Sequence, residues 1–242
     1  MRRPFFLLPL AAFAFPAEAA AAEEPDRAAE REQMVLQVAN LLATSGARAG
    51  TELRGSVVNA LRRVPRHLFV PEPARADAYR DRPLPIGHDA TISAPTIVAL
   101  MTELLDVAPE QRVLEVGTGS GYQAAILSGL AREVFSIELV EPLATSAAAT
   151  LARLGYANVV VRAGDGYAGW PEHAPFDRII LTAAAPHVPQ PLLDQLKPGG
   201  RMVIPVGAAD EDHQLVLIVK DMRGGITRRT ILPVRFVPLQ RG

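Results

Sequence analysis

The apolar positions of this chain change period along its length. From Met34 they recur at helical spacing through Val35, Val38, Ala39, Leu41 and Leu42, and Gly46 and Gly50 end the run. Residues 23–33, EEPDRAAEREQ, read as a linker or as the first turns of that helix. TELRGSVVNALRRV (51–64) predicts a second helix, with Thr51 as its N-cap and Pro65 as its stop. Residues 65–95 are rich in proline, glycine and charge, with little period. A stretch this long is either a functional loop or a set of elements that periodicity does not resolve. SAPTIVALMTELL (93–105) predicts a third helix, with Ser93 at its cap and Pro95 in its first turn.

Beyond residue 106 short apolar runs alternate with helical ones. Strands are expected at 112–116, 133–137, 158–162, 177–182 and 201–206, and helices at 121–131, 141–154 and 189–196, with a tight turn at LKPGG (196–200). Such alternation makes a parallel α/β sheet with helices on both faces. QLVLIVKD and TRRTILPVRFVPL follow without a helix between them, which predicts an antiparallel pair joined around Gly224 and Gly225. The expected fold is α/β, Rossmann-like and doubly wound. Its seven-stranded, mostly parallel sheet has an antiparallel edge and an N-terminal helical extension. Three regions follow: a segment 1–22, a helical and loop region 23–106, and a sheet domain 107–242.

Segment 1–22 stands apart. Arg2 and Arg3 precede an apolar run from Phe5 to Phe15 and then Ala17-Glu18-Ala19, the layout of a secretory signal with a loose twin-arginine character. The competing reading is a start codon misplaced upstream of Met34. The run is too short to span a bilayer, so no stable membrane association is expected. The formal net charge of −1 gives no global field for nucleic acid. The absence of cysteine excludes disulfides, thiolate zinc sites and cysteine nucleophiles. His67, His88, His173, His187 and His213 are scattered, and no metal is expected.

The candidate chemistry begins at VLEVGTGSGYQ (113–123). Gly117, Gly119 and Gly121 lie between a strand and a helix, where the backbone can approach a ligand closely. A phosphate-binding P-loop would need Gly-Lys-Ser/Thr, and a dinucleotide loop would need glycine where Tyr122 stands. Glu115, just before the loop, would repel a pyrophosphate and suits a cationic amino group. Glu138, at the end of the second strand, can accept hydrogen bonds from both hydroxyls of a ribose. Asp165 offers an acceptor to an adenine amino group, and Gly166 leaves room for a flat base. Each feature has a plainer alternative in a tight turn or a surface acid. Taken together they describe a nucleoside bearing a charged amino acid and no phosphate, which is S-adenosyl-L-methionine.

VLEVGTGSGYQAAILS, GDGYAGWPEHAPFDRIILTAAAP and LLDQLKPGGRMVIPVG resemble motifs of the protein-L-isoaspartate O-methyltransferases. The glycine loop is shared by many class I methyltransferases. VPRHLFVP (64–71) followed by RPLPIGHDATISAPTIVA (82–99) is much narrower. The resemblance runs from about Met34 to Gln240 and leaves out the first ~30 residues. It implies methyl transfer from S-adenosyl-L-methionine to isoaspartyl residues of damaged proteins and peptides, in the cytoplasm. It also implies that Ser93 is the active-site residue and that Ala90, Thr91, Ile92 and Ser93 close over donor and substrate. Ser120 falls at a cofactor position of the family, and RFVPLQ (235–240), with Phe236 and Val237, resembles the segment lining the substrate groove. A histidine that some members carry after SAP is Val98 here. The competing readings are a class I methyltransferase acting on RNA or a small molecule, a nicotinamide-dependent oxidoreductase, and a non-catalytic peptide-binding module.

Overall fold

The computed structural model describes residues 26–44, 52–208 and 211–242. The signal-like segment 1–22, the helix-ending Gly46 and Gly50, and the expected cap Thr51 lie outside them. Helix α1 (Ala28–Thr44) begins six residues before Met34, so most of the charged 23–33 stretch forms its first turns. Its apolar stripe of Met34, Val35, Val38 and Leu42 is buried. Helix α2 (Gly55–Arg63) starts later than the 51–64 pattern predicts, after Arg54 in extended conformation.

Residues 65–95 are not structureless. Two short 3₁₀ turns, Arg66–Phe69 and Glu72–Asp77, lead into an antiparallel hairpin of β1 (Leu84–Gly87) and β2 (Ala90–Ile92). Strands of three and four residues are too short to show a period. At the hairpin's tip Gly87, His88 and Asp89 all have positive φ, a conformation that only a tight mirror-type turn requires. Helix α3 (Pro95–Leu105) follows. Its N-cap is Ala94, which makes no side-chain cap, and not Ser93 as the sequence suggests. The capping is supplied from a distance. The Asp81 carboxylate accepts hydrogen bonds from the Thr96 backbone N–H at 2.8 Å and the Thr96 hydroxyl at 2.7 Å.

The sheet domain then winds as expected through β3 (Arg112–Val116), α4 (Tyr122–Ser128), β4 (Glu133–Glu138), α5 (Glu141–Arg153), β5 (Val159–Ala163), β6 (Phe176–Leu181), α6 (Gln190–Gln195), β7 (Leu196–Val206), β8 (His213–Lys220) and β9 (Ile226–Val234). Spatial order is β5-β4-β3-β6-β7-β8-β9, with the first five strands parallel and the last two antiparallel. β9 is therefore one edge of the sheet and β5 the other, and the first five residues of β9 are exposed. LKPGG, expected as a turn, is the start of β7. Leu196 pairs with Phe176, the register then slips at a bulge, and Gly199 takes φ +77°. RFVPLQ lies beyond β9 rather than at its end.

Parallel strands covered on both faces read as continuous apolar runs. In β3, Val113 faces one core with α3, α4 and the N-terminal helices, while Leu114 and Val116 face the other, with Trp170 and Phe176. That alternation turns Glu115 inward on the first face, opposite its register partner Ser136 in β4. Asp106, in left-handed conformation at the C-terminus of α3, pairs with Arg54 and with Arg201 at 3.2 Å. Arg178 donates to its carbonyl at 3.0 Å, a cation where the helix dipole is negative.

Candidate active site

The parallel strands end on one side in a cavity of about 340 Å³. Its floor is the loop after β3. Gly117 (φ +99°), Gly119 (φ +52°) and Gly121 (φ +86°) hold a path that side chains rarely adopt, and a Cβ at Gly117 would stand 2.5 Å from the Thr182 hydroxyl. Gly117, Thr118, Gly119 and Ser120 line the cavity. Gly121 does not: it turns the chain into α4 against Leu151.

Glu138 reaches the same space from the end of β4. One carboxylate oxygen accepts from the Gly119 N–H at 2.8 Å and the other from the Val140 N–H at 3.0 Å. Its orientation is thus fixed by backbone, with lone pairs left toward the cavity. Gly166 forms part of the wall, and any side chain there would collide with Val116. Asp165 is not a wall residue. Its carboxylate accepts from the Tyr167 N–H at 2.8 Å and so caps its own 3₁₀ turn, Gly166–Ala168.

Glu115 also lies behind the wall rather than in it. Its side chain is fully buried, and one oxygen accepts the hydroxyl of Ser136, which in turn lies 2.5 Å from the Thr118 hydroxyl. The other oxygen has no partner. Burial pushes this carboxyl up to about 8, with the nearby Glu138 charge adding to the shift and the Ser136 hydrogen bond opposing it. At neutral pH it is largely protonated, so its first effect is on the loop above it.

The opposite wall comes from the hairpin. Ala90, Thr91, Ile92 and Ser93 all line the cavity, joined by His88 and Asp89 from the tip. Because Asp81 caps α3, the Ser93 hydroxyl is not spent on the helix. The ceiling comes from the chain after β9. Ala184 donates to the Val237 carbonyl at 2.9 Å, and Leu239 donates back to Ala184 at 2.7 Å, which lays Val237 to Gln240 along the end of β6. Phe236 is drawn the other way. Its N–H donates to His213 Nδ1 at 3.2 Å and its ring packs on the core.

Sequence reasoning missed several wall residues, among them Gln123, Leu139, Thr182 and Ala183. Leu139 and Thr182 directly follow β4 and β6, so the rule that ligands bind beyond strand ends could have found them. Gln123 is a helical side chain and gave no such signal.

Glu138 and Asp89 are the only acids among these wall residues, and no lysine or arginine is among them. This electrostatic lining does not fit a pyrophosphate. It fits a sulfonium nucleoside with an ammonium group. Among the described residues no group of three His, Asp or Glu stands close enough to hold a metal ion, and no helix is long and apolar enough to cross a membrane.

Comparison with known proteins agrees with this geometry. Residues 38–242 match the family model described as protein-L-isoaspartate(D-aspartate) O-methyltransferase. A Syntrophobacter fumaroxidans protein named protein-L-isoaspartate O-methyltransferase 2 is 55% identical over 239 residues, 98% of this chain and 96% of that protein. The alignment therefore reaches into the N-terminal segment that the motif resemblance leaves out. A solved protein-L-isoaspartate O-methyltransferase superposes with TM-score 0.76 at 28% identity, over 86% of this chain and 65% of that one. A Plasmodium falciparum structure described as the same kind of enzyme, in complex with S-adenosyl-L-homocysteine, gives 0.72 at 26% identity, over 88% and 99%. This chain belongs to the protein-L-isoaspartate(D-aspartate) O-methyltransferase family.

Proposed function

We infer that the chain transfers a methyl group from S-adenosyl-L-methionine to the free α-carboxylate of L-isoaspartyl residues in damaged proteins and peptides. The observation that carries this reading is the meeting of two walls in one cavity. The glycine loop and Glu138 face the TIS segment across it, and the chain's family membership gives that meeting its chemistry.

When bound, S-adenosyl-L-methionine supplies an electrophilic methyl on a sulfonium. The donor's C–S bond breaks, the carboxylate's O–C bond forms, and the products are a methyl ester and S-adenosyl-L-homocysteine. No proton moves, because a carboxylate with an ordinary pKa near ~4 is already ionised at neutral pH. A wall poor in bases suits that reaction. The chain's task is alignment, and orientation of two reactants can lower a barrier by roughly 7–11 kcal/mol. In this proposal Ser93 donates its hydroxyl to the acceptor carboxylate and orients it. Glu138 receives the ribose hydroxyls, Gly166 leaves room for the base, and Gly117 to Ser120 seat the amino acid part. Residues 23–106 provide the acceptor side and 107–242 the donor side. The ester then leaves as methanol when the neighbouring backbone nitrogen closes a succinimide, whose hydrolysis returns some normal aspartate.

We place the enzyme in the cytoplasm, where its donor is made. N-terminal sequencing of the native protein decides between this and export: a mature start near Ala20 would mean export. The function itself is tested with labelled donor and a matched peptide pair, one isoaspartyl and one aspartyl. Label should enter the isoaspartyl peptide alone. Donor binding without transfer to either peptide would assign the acceptor elsewhere, to a small molecule or RNA.

A further inference from the structure

Behind the TIS segment lies a charge that the proposed chemistry has not used. Arg66 belongs to the first 3₁₀ turn after α2 and has 0% of its surface exposed. Its Nε donates to the Ala78 carbonyl at 2.8 Å and its Nη2 to the Ser93 carbonyl at 2.7 Å. Its Nη1 is buried with no partner. The guanidinium lies 4.9 Å above the ring of Tyr122, a cavity residue whose buried hydroxyl interacts with it.

Among the described residues no carboxylate contacts this cation at ion-pair distance, although the Asp81 charge acts on it. Both Asp81 oxygens are committed to Thr96. Burying an unpaired charge is costly, and here desolvation lowers the pKa of the guanidinium. A fold that only needed to tie Ala78 to Ser93 could do so with a neutral donor. The wall residues of the cavity, meanwhile, include two acids and no lysine or arginine. Apart from the donor's own sulfonium and ammonium, the cavity lining offers no cation to an acceptor that arrives as a carboxylate. Arg66, hydrogen-bonded to the backbone of Ser93, is a cation behind that lining. Arg178, also buried, sits near the opposite end of β6 beside Asp106.

We propose that Arg66 is a positioning residue whose buried guanidinium, acting through Ser93, supplies the positive potential that selects and holds the acceptor's carboxylate. This rests on the function inferred above, with the acceptor serving as a counter-ion in addition to the Asp81 charge. It predicts discrimination between a charged acceptor and its neutral isostere. The charge difference between the two is what Arg66 senses, whereas their shapes are nearly equal.

The test compares an isoaspartyl peptide with the same peptide carrying an α-carboxamide, each titrated by calorimetry into the full chain saturated with S-adenosyl-L-homocysteine. Wild type should prefer the carboxylate by about tenfold or more. Arg66→Met should reduce that preference toward one, while the affinities for the carboxamide and for S-adenosyl-L-homocysteine change less than about twofold. Arg66→Lys, which keeps a cation, should restore much of the preference. If Arg66→Met does not fold, Arg66→Gln gives the same comparison with a neutral donor retained. An unchanged preference in the neutral variant overturns the proposal. So does an equal loss for both peptides, which would mark Arg66 as purely structural. If wild type neither binds nor methylates the isoaspartyl peptide, the parent function falls, and this inference with it.

Discussion

At the scale of single residues, the surroundings of Ser93 and Glu115 set what each side chain is free to do. Ser93 reads both as a helix cap and, by resemblance, as the active-site residue, and Asp81 frees it from the first part. Ser93→Ala should therefore lower kcat by about a hundredfold or more with little change in melting temperature, since no cap bond worth ~1 kcal/mol is lost. Parallel steady-state kinetics and thermal unfolding measure both, and an unchanged kcat would remove Ser93 from the chemistry. Glu115 reads as a ligand contact and lies under the loop instead. Its folded pKa, about 8, is raised above its ordinary 4.5. The folded state thus holds a proton that the unfolded state releases as pH climbs past 4.5. Stability from this group is complete below about 4.5, declines up to about 8, and is flat beyond. The span corresponds to roughly 5 kcal/mol. Glu115→Gln should abolish this slope and melt higher than wild type at pH 8, with the gap closing near pH 4.5. Parallel melting curves across that range would show that the carboxyl is not held protonated.

At the scale of elements, the regular pieces were legible in the sequence and the irregular ones were not. β3 and α5 fall within a residue of the predicted bounds, because long apolar runs and a stripe such as Leu143, Ala144, Ala147 and Leu151 carry their own period. The hairpin β1–β2 escapes such reading, being held by a turn and by pairing rather than by amphipathicity. The cap of α3 escapes it as well, since Asp81 and Thr96 meet only through the loop between them. Asp81→Ala should cost about 1 kcal/mol by removing the cap. It should also lower turnover, because the segment from Ala90 to Ser93 leads directly into that helix turn. A variant with normal turnover and a reduced melting temperature would confine Asp81 to stability.

At the scale of the whole molecule, the site draws on parts far apart in sequence: the hairpin, the ends of β3, β4 and β6, and the strap after β9. Many of the positions that the motifs single out meet in one cavity. Gly117, Gly119, Ser120, Glu138 and Gly166 all reach the cavity, as do Ala90 to Ser93 and Val237. Glu115, Gly121, Asp165 and Phe236 do not line it: strand alternation, local capping or the path of the chain directs them elsewhere. No alternation rule applied to a single loop position can settle that. The strap makes its own prediction. Ending the chain after Val234 removes the bonds to Ala184 and should weaken S-adenosyl-L-homocysteine binding by about tenfold, measured by calorimetry, with the sheet retained. Equal affinity would mean that the ceiling contributes nothing to the donor.

The β9 edge of the sheet has a further consequence. The first half of β9, Ile226 to Thr230, presents Arg228 and Arg229 among exposed residues. An open strand edge is a template for any extended chain that meets it, and damaged proteins are rich in such chains. Two arginines on that edge charge it and keep it hydrated. Both effects oppose strand-to-strand pairing at this border.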